Sequence, residues 1–295
     1  MDFFLQLTFN GLVVGSIYAL VALGFVIIYK ASGILNFAQG EFLLLGAYVC
    51  LEVMTRWRVP FAAAFLLTLA FSMGLGIALE RVVLRPLIGE PIISVIMVTL
   101  GLSSVLKAIV QGIWGTDTRP FPSVLPSEPV HLGPLAVSQG YLWSVSCVTA
   151  LLVLFTVFFR STRSGIAMRA TAFSQQVALS MGISVRRIFA LSWSIAAMVS
   201  AVGGMLLGAM RGGVDGSLAF FGLKVIPVAI LGGLDSVVGA IVGGLVVGVL
   251  ENLAGGYLDP LVGGGVKEVA PFVALVLILM VKPYGFFGKV HIERV

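Results

Sequence analysis

The sequence has too little charge for a water-soluble fold. Only 11% of its 295 residues are charged, while 59% are hydrophobic and the mean hydropathy is +1.11. Soluble domains carry about 25% charged residues, because they present polar side chains to water on every side. The shortage excludes an ordinary soluble enzyme or binding domain and predicts a chain whose solvent is mostly lipid.

Cysteine and histidine are also scarce, with two of each. Cys50 and Cys147 each lie inside an apolar run, where a lone thiol behaves as a small hydrophobic side chain, so we expect no disulfide. His131 and His291 fall on opposite sides of the predicted membrane and cannot form a shared metal or catalytic site. We expect no cofactor and no metal.

Motifs for nucleotide binding and proteolysis are missing. The sequence has no G-x-x-x-x-G-K-[ST] loop, whose amides and lysine bind phosphates, and its Gly288/Lys289 pair is followed by valine. It has no H-E-x-x-H pair of metal ligands, and no serine lies in a nucleophile elbow. We therefore expect a protein that is not an enzyme and that takes its energy from another chain.

Long apolar runs are what the sequence has instead. A membrane-spanning helix needs about 20 apolar residues, because the hydrocarbon core is ~30 Å thick and each helical residue rises about 1.5 Å. The runs that approach this length are Phe9–Tyr29, Phe37–Met54, Phe61–Leu79, Ile92–Ile113, Tyr141–Phe159, Ile188–Met210 and Val269–Val281. The first run lacks the basic start of a secretory signal, so we expect it to be a permanent span.

A longer apolar stretch, Gly222–Leu253, is interrupted at 232–236 by two glycines, an aspartate and a serine. This pattern predicts two half-helices around a turn, which either cross the membrane or re-enter it. The expected fold is all-α, a polytopic bundle of about eight spans that forms one membrane domain over 1–295.

Basic residues predict the orientation of the spans, since loops rich in Lys and Arg stay in the cytoplasm. The segment 160–187 contains five arginines and no acidic residue, which predicts a cytoplasmic loop. Counting outward, 80–91 and the C-terminus are cytoplasmic, whereas 114–140 and the N-terminus are external. Arg56 and Arg58 then fall outside, against the rule. Because the positive charge is confined to loops beside spans, we expect no nucleic-acid partner.

A short amphipathic pattern lies inside the cytoplasmic loop. Its apolar residues recur at every fourth position: Phe173, Val177 and Met181. The pattern predicts one short helix from Thr171 to Met181, and Gly182 supplies the stop expected after it. The apolar stripe is buried either in the lipid headgroup layer, which basic flanks favour, or in a groove on another protein.

Polar residues at membrane depth are candidates for a solute path. Asn36 and Gln39 lie in a glycine-bounded break, and polar groups there are tolerated only where protein or a water-filled cavity receives them. Two interpretations stay open, because Asn36 is also a suitable cap for a helix that starts at Phe37. Lys107, with Gln111 one turn later, is expected to face the bundle interior.

Two further ionisable residues occur in the apolar stretch near the C-terminus. Lys224 opens the first predicted half-helix and Glu251 ends the second. We expect both side chains to snorkel to an interface, because a charge in the hydrocarbon is costly.

Several blocks of the sequence carry a family resemblance. They read GSIYALVALGFVIIYKASGILNFAQGEFLLLGAY, ERVVLRP, RSTRSGIAMRATA followed by ALSMGIS, and GLKVIPVAILGGLDSVVGAIVGG, and they cover roughly half of the chain. In this order they resemble the LivH-type permease subunit of bacterial ABC importers for branched-chain amino acids. The resemblance implies an ABC importer permease fold in the inner membrane and import of branched-chain amino acids.

The resemblance also implies partners and a coupling site. The expected partners are a second permease of the LivM type or a second copy of this chain, two cytoplasmic ABC ATPases and a periplasmic solute-binding protein. The coupling helix, which docks on the ATPase, is placed on these residues: Ala172, Phe173, Val177, Ala178, Met181 and Gly182. Relatives often carry acidic residues early in this helix, whereas this chain has Phe173 and polar uncharged residues.

Other functions stay open at this point. Similar permeases import urea, short amides or aromatic acids, and the sequence does not separate these substrates. A secondary carrier is favoured only by the interrupted half-helices, since it would need ion-coordinating acids at mid-membrane. A membrane-embedded enzyme would need a cluster of catalytic residues, which we do not find in the sequence.

Overall fold

We describe the protein from a computed structural model, which covers residues 2–88, 90–124, 126, 128–132 and 135–288. His291 and Lys289 lie outside these residues. The α-helices are α1 (Asp2–Ser32), α2 (Gln39–Arg56), α3 (Phe61–Leu79), α4 (Ile92–Trp114), α5 (Gln139–Ser161), α6 (Arg163–Phe173), α7 (Gln175–Ser180), α8 (Val185–Arg211), α9 (Phe220–Gly232), α10 (Val237–Tyr257), α11 (Asp259–Val262) and α12 (Val266–Val281). The strands are β1 (Arg119–Pro120), β2 (Pro129–Leu132), β3 (Leu135–Ser138) and β4 (Gly213–Val214).

The helical content confirms the all-α class. Among the described residues, six helices are long and apolar enough to cross a membrane: Asp2–Ser32, Phe61–Leu87, Ile92–Trp114, Gln139–Ser161, Val185–Arg211 and Val237–Tyr257. The apolar helices α2, α9 and α12 are shorter or more charged. The total of about eight spans therefore stays a prediction.

The turn predicted at 232–236 is present, but only one half-helix adjoins it. The helix α9 has 13 residues and ends at Gly232, and Gly233 follows with a φ of 105°, a conformation that favours glycine. The helix α10 has 21 residues, which is long enough to cross, so the second half-helix was wrongly predicted. Its glycines do not interrupt it, because they lie where neighbouring backbones pack.

Glycine lets α1, α8 and α10 form the core. A methyl group on Gly244 would lie 2.5 Å from the backbone nitrogen of Ala19, and one on Gly15 would lie 2.7 Å from the Gly244 carbonyl. Membrane helices that pack this closely use small residues, because lipid supplies no hydrophobic force between helices. The result is that α1 is almost wholly enclosed by protein: 89% of an 18-residue apolar stretch of this helix is buried.

The helices α2 and α9 both begin inside the bundle. Gln39, the first residue of α2, bonds to Ala196 and Ser200, which lie halfway along α8. A methyl group on Gly40 would collide with the carbonyl of Ala219, the residue that precedes α9. The two N-termini therefore meet at one point in the interior.

From this point α2 and α9 run toward opposite ends of the bundle. The Trp114 Nε1 group, at the end of α4, donates to a Glu52 oxygen of α2 over 3.2 Å. The end of α9 instead reaches the end of α1, where Tyr29 and Ile230 line one cavity. We call the end that carries the strands the hairpin face, and the end that carries α6 and α7 the α7 face.

Ion pairs connect the loops of the hairpin face. Glu52 bonds to Arg56 over 3.2 Å and lies 3.7 Å from Arg119. Arg56, which was predicted to be external against the rule that arginines stay in the cytoplasm, is thus paired with an acid. In the loop between α8 and α9, a hydrogen bond from Ser217 lowers the pKa of Asp215 below its usual value. Thr118 Oγ1 donates to Asp215 Oδ2 over 3.2 Å, and β1 pairs with β4, so the loop after α4 is tied to the loop that precedes α9.

The glycine contacts predict a test of the core. Changing Gly244 to Val should destabilise the protein by about 1–3 kcal/mol or more, because the added side chain meets the backbone of α1. The matched control is Gly74→Val, since a methyl group at Gly74 meets nothing within 4 Å. Thermal unfolding of the purified variants in detergent measures both, and equal midpoints would contradict the packing described here.

Candidate functional site

The break between α1 and α2 is closed by hydrogen bonds among buried amides. Asn36 Nδ2 donates to Gln39 Oε1 over 3.1 Å, and Gln39 Nε2 donates to Ser200 Oγ over 2.7 Å. Both side chains are fully buried in the chain. Polar backbone groups in a break at membrane depth must bond to protein or to water. Here the buried side-chain amides of the protein supply such bonds.

The capping role expected for Asn36 was wrongly placed. The helix α2 begins at Gln39 and not at Phe37, and its N-cap, Ala38, has no side-chain bond. Asn36 Oδ1 instead accepts from the Ala38 amide over 3.0 Å, which closes a local turn before the helix. Direct contact of Asn36 and Gln39 with solute stays a prediction, and it requires the break to open.

A second polar group lies where the side chain of Lys107, on α4, reaches Phe220, the first residue of α9. Lys107 is half-buried, and its Nζ atom lies 5.1 Å from the centre of the Phe220 ring. Lys107 is also near enough to the buried carboxylate of Glu41 to attract it electrostatically. Lys107 thus has both a buried carboxylate and an aromatic ring nearby.

The same side of α4 is open and partly polar. Ser104 and Gln111 are exposed and lie on the side of α4 that carries Lys107. Phe220 and Leu223 of α9 are 55% and 45% exposed, although both lie near the inner start of that helix. We call this surface the α4–α9 face; it combines a cation, hydroxyl and amide groups with apolar side chains.

Lys224 and Glu251 form a buried ion pair and do not snorkel. Lys224 Nζ lies 2.8 Å from Glu251 Oε1 and 2.8 Å from Glu268 Oε2. The hydroxyl of Tyr18 donates to the other Glu251 oxygen over 2.6 Å. The expectation of snorkelling was wrong because both side chains are buried and find partners within the chain: Lys224 pairs with carboxylates of α10 and α12, and Glu251 also accepts from Tyr18 of α1.

The sequence contained only part of the signal for this network. Lys224 and Glu251 are visible as charges in apolar runs, but Tyr18 is one tyrosine among many apolar residues of α1. Their pairing depends on how α1, α9 and α10 pack. A charge of each sign, 27 residues apart in one apolar stretch, was the available indication of an ion pair.

The segment predicted as a coupling helix is two helices. The helix α6 ends at Phe173, Ser174 is extended, and α7 starts at Gln175 with the Ser174 hydroxyl accepting from the Val177 amide over 3.3 Å. The single helix from Thr171 to Met181 was therefore wrongly predicted, because serine competes well for a helix N-terminus. The stop at Gly182 is confirmed, with a φ of 79°.

The predicted coupling residues are mostly exposed on the α7 face. Phe173, Val177 and Met181 are 90%, 57% and 76% exposed. Ala178 is the buried residue of α7, and Ala172 is half-buried. The chain thus presents a cluster of large apolar side chains with no cover from its own described residues.

Two contacts link this segment to the bundle. Gln175 Nε2 donates to the Ala31 carbonyl at the end of α1 over 3.4 Å. The Ile183 amide donates to the Ala178 carbonyl over 2.9 Å, which joins the end of α7 to the approach to α8. These contacts connect α7 to α1 and to the start of α8, and both helices border the Asn36 break.

Comparisons with known proteins cover nearly the whole chain. A family model described as the branched-chain amino acid transport system / permease component matches residues 7–282. The chain is 33% identical over 309 aligned residues to the high-affinity branched-chain amino acid transport system permease protein LivH of Escherichia coli (strain K12) and to the corresponding protein BraD of Pseudomonas aeruginosa. Each alignment covers 99% of this chain and 98% of the relative.

More distant similarities extend this result. A probable LivH permease of Methanocaldococcus jannaschii is 26% identical over 95% of this chain and 91% of its own length. Among solved structures, PsaBC from Streptococcus pneumoniae in complex with Fab matches with a TM-score of 0.51 at 15% identity, over 97% of this chain and 92% of that one. At this identity the structural likeness supports the fold alone.

The buried ion pair predicts a stability test. Changing Lys224 to Met should destabilise the protein by about 3–5 kcal/mol, because Glu251 then stays buried without a cation. The double variant K224M/E251Q should recover most of the loss, since no buried charge is left unpaired. Thermal unfolding in detergent is the measurement, and a K224M protein as stable as the parent would refute the pairing.

Proposed function

The chain belongs to the family of branched-chain amino acid transport permease components, and we propose that it is a permease subunit of an ABC importer for branched-chain or other hydrophobic amino acids. The observation that carries this proposal is the family match over residues 7–282. The chain is a multi-pass protein of the inner membrane. We place the hairpin face and the N-terminus outside, and the α7 face and the C-terminus in the cytoplasm, as the arginines of 160–187 indicate.

In this proposal the chain holds no ATPase site and is driven by two cytoplasmic ABC ATPases. This chain would form one membrane domain over 1–295, and a second permease, of the LivM type or a second copy of this chain, would complete the membrane part. A periplasmic solute-binding protein delivers the amino acid. The missing phosphate-binding loop in the sequence supports this division of labour.

The proposed ATPase contact is the exposed cluster on the α7 face. Phe173, Val177 and Met181 would enter a groove of the ATPase, in the manner of an amphipathic helix in a groove. The small residues Ala172 and Gly182 would let the segment approach the ATPase closely, whereas Ala178, which is buried, would let α7 pack against its own chain. Motion of α7 would reach α1 through Gln175 and α8 through Ile183. Rigid-body movement of these helices is one route to alternating access.

We propose that the solute path follows the α4–α9 face. A branched-chain amino acid has an apolar side chain and two opposite charges, and this face offers Phe220 and Leu223 for the first and Lys107 for a carboxylate. Gln111 adds an amide, and Asn36 and Gln39 would join the path where the break opens. Such a surface binds solute weakly, which suits a path that releases its cargo.

The same architecture would serve related solutes. Short amides, urea or aromatic acids also combine polar and flat or apolar groups, and the α4–α9 face does not distinguish them by charge alone. A secondary carrier shares the helices that start inside the bundle, α2 and α9. Family membership favours the ABC importer over the carrier.

A substitution on α7 tests the coupling role. Changing Val177 to Asp should reduce ATP-dependent uptake at least tenfold, because a charge enters an apolar groove, while membrane insertion stays normal. The matched control is Gln176→Asp, which adds the same charge to a neighbouring exposed position of α7. Uptake into proteoliposomes that contain the full importer is the measurement, and full uptake by V177D would leave only the lipid-surface role for α7.

A substitution on α4 tests the path. Changing Lys107 to Met should lower the maximal uptake rate about tenfold without changing the affinity of the binding protein for solute. Lys107→Arg should retain most of the rate, since it keeps the cation over Phe220. Uptake kinetics of the assembled importer measure both variants. Equal rates for K107M and the parent would remove Lys107 from the path.

A further inference from the structure

The helix α9 is short and is interrupted by a proline. Its 13 residues are too few to span the hydrocarbon core, and Pro227 has no amide to donate to the Leu223 carbonyl one turn earlier. At the start of the helix, Phe220 and Leu223 are 55% and 45% exposed, so the chain covers this end only in part. The position of α9 therefore depends on contacts made at its other end and along its buried side.

The last carbonyls of α9 bond to the segment that follows α12. The Phe286 amide donates to the Leu231 carbonyl over 2.8 Å, and the Phe287 amide donates to the Gly232 carbonyl over 3.1 Å. The last four carbonyls of a helix have no helical donor, and Leu231 and Gly232 are both buried. The segment 284–288, which we call the clasp, thus caps a helix that lies far earlier in the chain.

Glycines on both sides let the clasp reach the end of α9. Gly285 is buried with a φ of 74°, and a methyl group on it would lie 2.5 Å from the Ile230 carbonyl oxygen and 2.7 Å from that of Leu231. On the other side, Gly233 has a φ of 105°, and a methyl group on it would lie 2.5 Å from the Gly288 amide nitrogen. The contact joins backbone to backbone, so one added carbon on either side would force it open.

The helix α12 also holds the first half of α9. Lys224 Nζ lies 2.8 Å from an Oε2 atom of Glu268, which belongs to the first turn of α12. The clasp follows the last residue of α12, Val281. The helix α9 is therefore joined to α12 by an ion pair near its start and by two backbone hydrogen bonds at its end.

The clasp lies close to the predicted coupling residues. Tyr284 lines a cavity of about 160 Å³ together with Tyr29 and Asp235. Tyr29 and Asp235 also line a second cavity, whose other walls include Phe173 and Gln175. The clasp and the segment that contains α7 thus lie on two sides of the end of α1, on the α7 face.

We propose that the clasp is a positioning element of the importer, which fixes α9 to α12 and so sets the place of Phe220 and Leu223 on the α4–α9 face. This inference rests on the proposed function, because that function puts the solute path on this face. The alternative anchor of α9 is α10, since a methyl group on Gly232 would collide with the Gly239 carbonyl. The clasp differs from this contact because it supplies hydrogen bonds to the buried end of the helix.

Hydrogen exchange of the purified full-length chain in detergent tests the clasp. Gly285→Ala should raise the exchange rate of amides in 225–232 about tenfold, because the methyl group forces the donors away from the α9 carbonyls. The matched control is Gly263→Ala, since Gly263 also has a positive φ, of 87°, but a methyl group on it meets nothing within 4 Å. Equal exchange in G285A and G263A would overturn the proposal and leave α10 as the anchor.

A milder pair of variants keeps the test decisive if G285A does not fold. Phe286→Pro removes only the amide that bonds to Leu231, whereas Phe286→Leu keeps that amide. Amides in 225–232 should exchange about fivefold faster in F286P than in F286L, because one hydrogen bond is lost. The same exchange rate in both variants would show that the clasp does not hold α9.

Transport distinguishes positioning from a purely structural cap. In proteoliposomes with the full importer, F286P should hydrolyse ATP as F286L does but move about fivefold less amino acid per ATP, since α9 is less firmly joined to α12. Faster exchange in F286P with unchanged uptake per ATP would contradict the positioning role. A parent importer that moved no branched-chain amino acid would contradict the proposed function, whereas the exchange comparison would still decide whether the clasp holds α9.

Discussion

Backbone groups in hydrocarbon need protein partners, and this requirement organises the whole bundle. The helices α2 and α9 begin in the interior, where their first amides have no helical acceptor and no lipid can replace one. Close contact of Gly40 with Ala219, and of Gln39 with Ser200 and Ala196, encloses both starts. The helices α1, α8 and α10 pack around this point through glycine and form the centre of the bundle.

This centre gives the functional segments their positions. The α7 face carries an apolar cluster that the chain leaves uncovered, and its two links lead to α1 and α8. The α4–α9 face begins where α9 starts, so it borders the same interior junction. Under the proposed coupling role, a displacement of α7 would reach these helices through those two links. The buried ion pair of Lys224 with Glu251 joins α9 to α10.

The sequence predicted those features of the fold that depend on composition and on the spacing of apolar residues. The long apolar runs located the main spans, and the arginines of 160–187 singled out the segment that forms α6 and α7. The break at Ser174 was missed because the i+4 pattern of Phe173, Val177 and Met181 continues across it. The ion pair was missed because it depends on the packing of helices far apart in sequence, and Tyr18 carries no local sign of it.

The proposal that the solute path follows the α4–α9 face can be tested with single cysteines. In a background that lacks Cys50 and Cys147, we expect a cysteine at Ser104 to react with a membrane-impermeant thiol reagent in the assembled importer, at a rate that ATP changes. A cysteine at Ile109, on the other side of α4, should stay unreactive. If the Ser104 cysteine were as unreactive as the Ile109 cysteine with and without ATP, the face would border lipid, and the solute path would lie elsewhere.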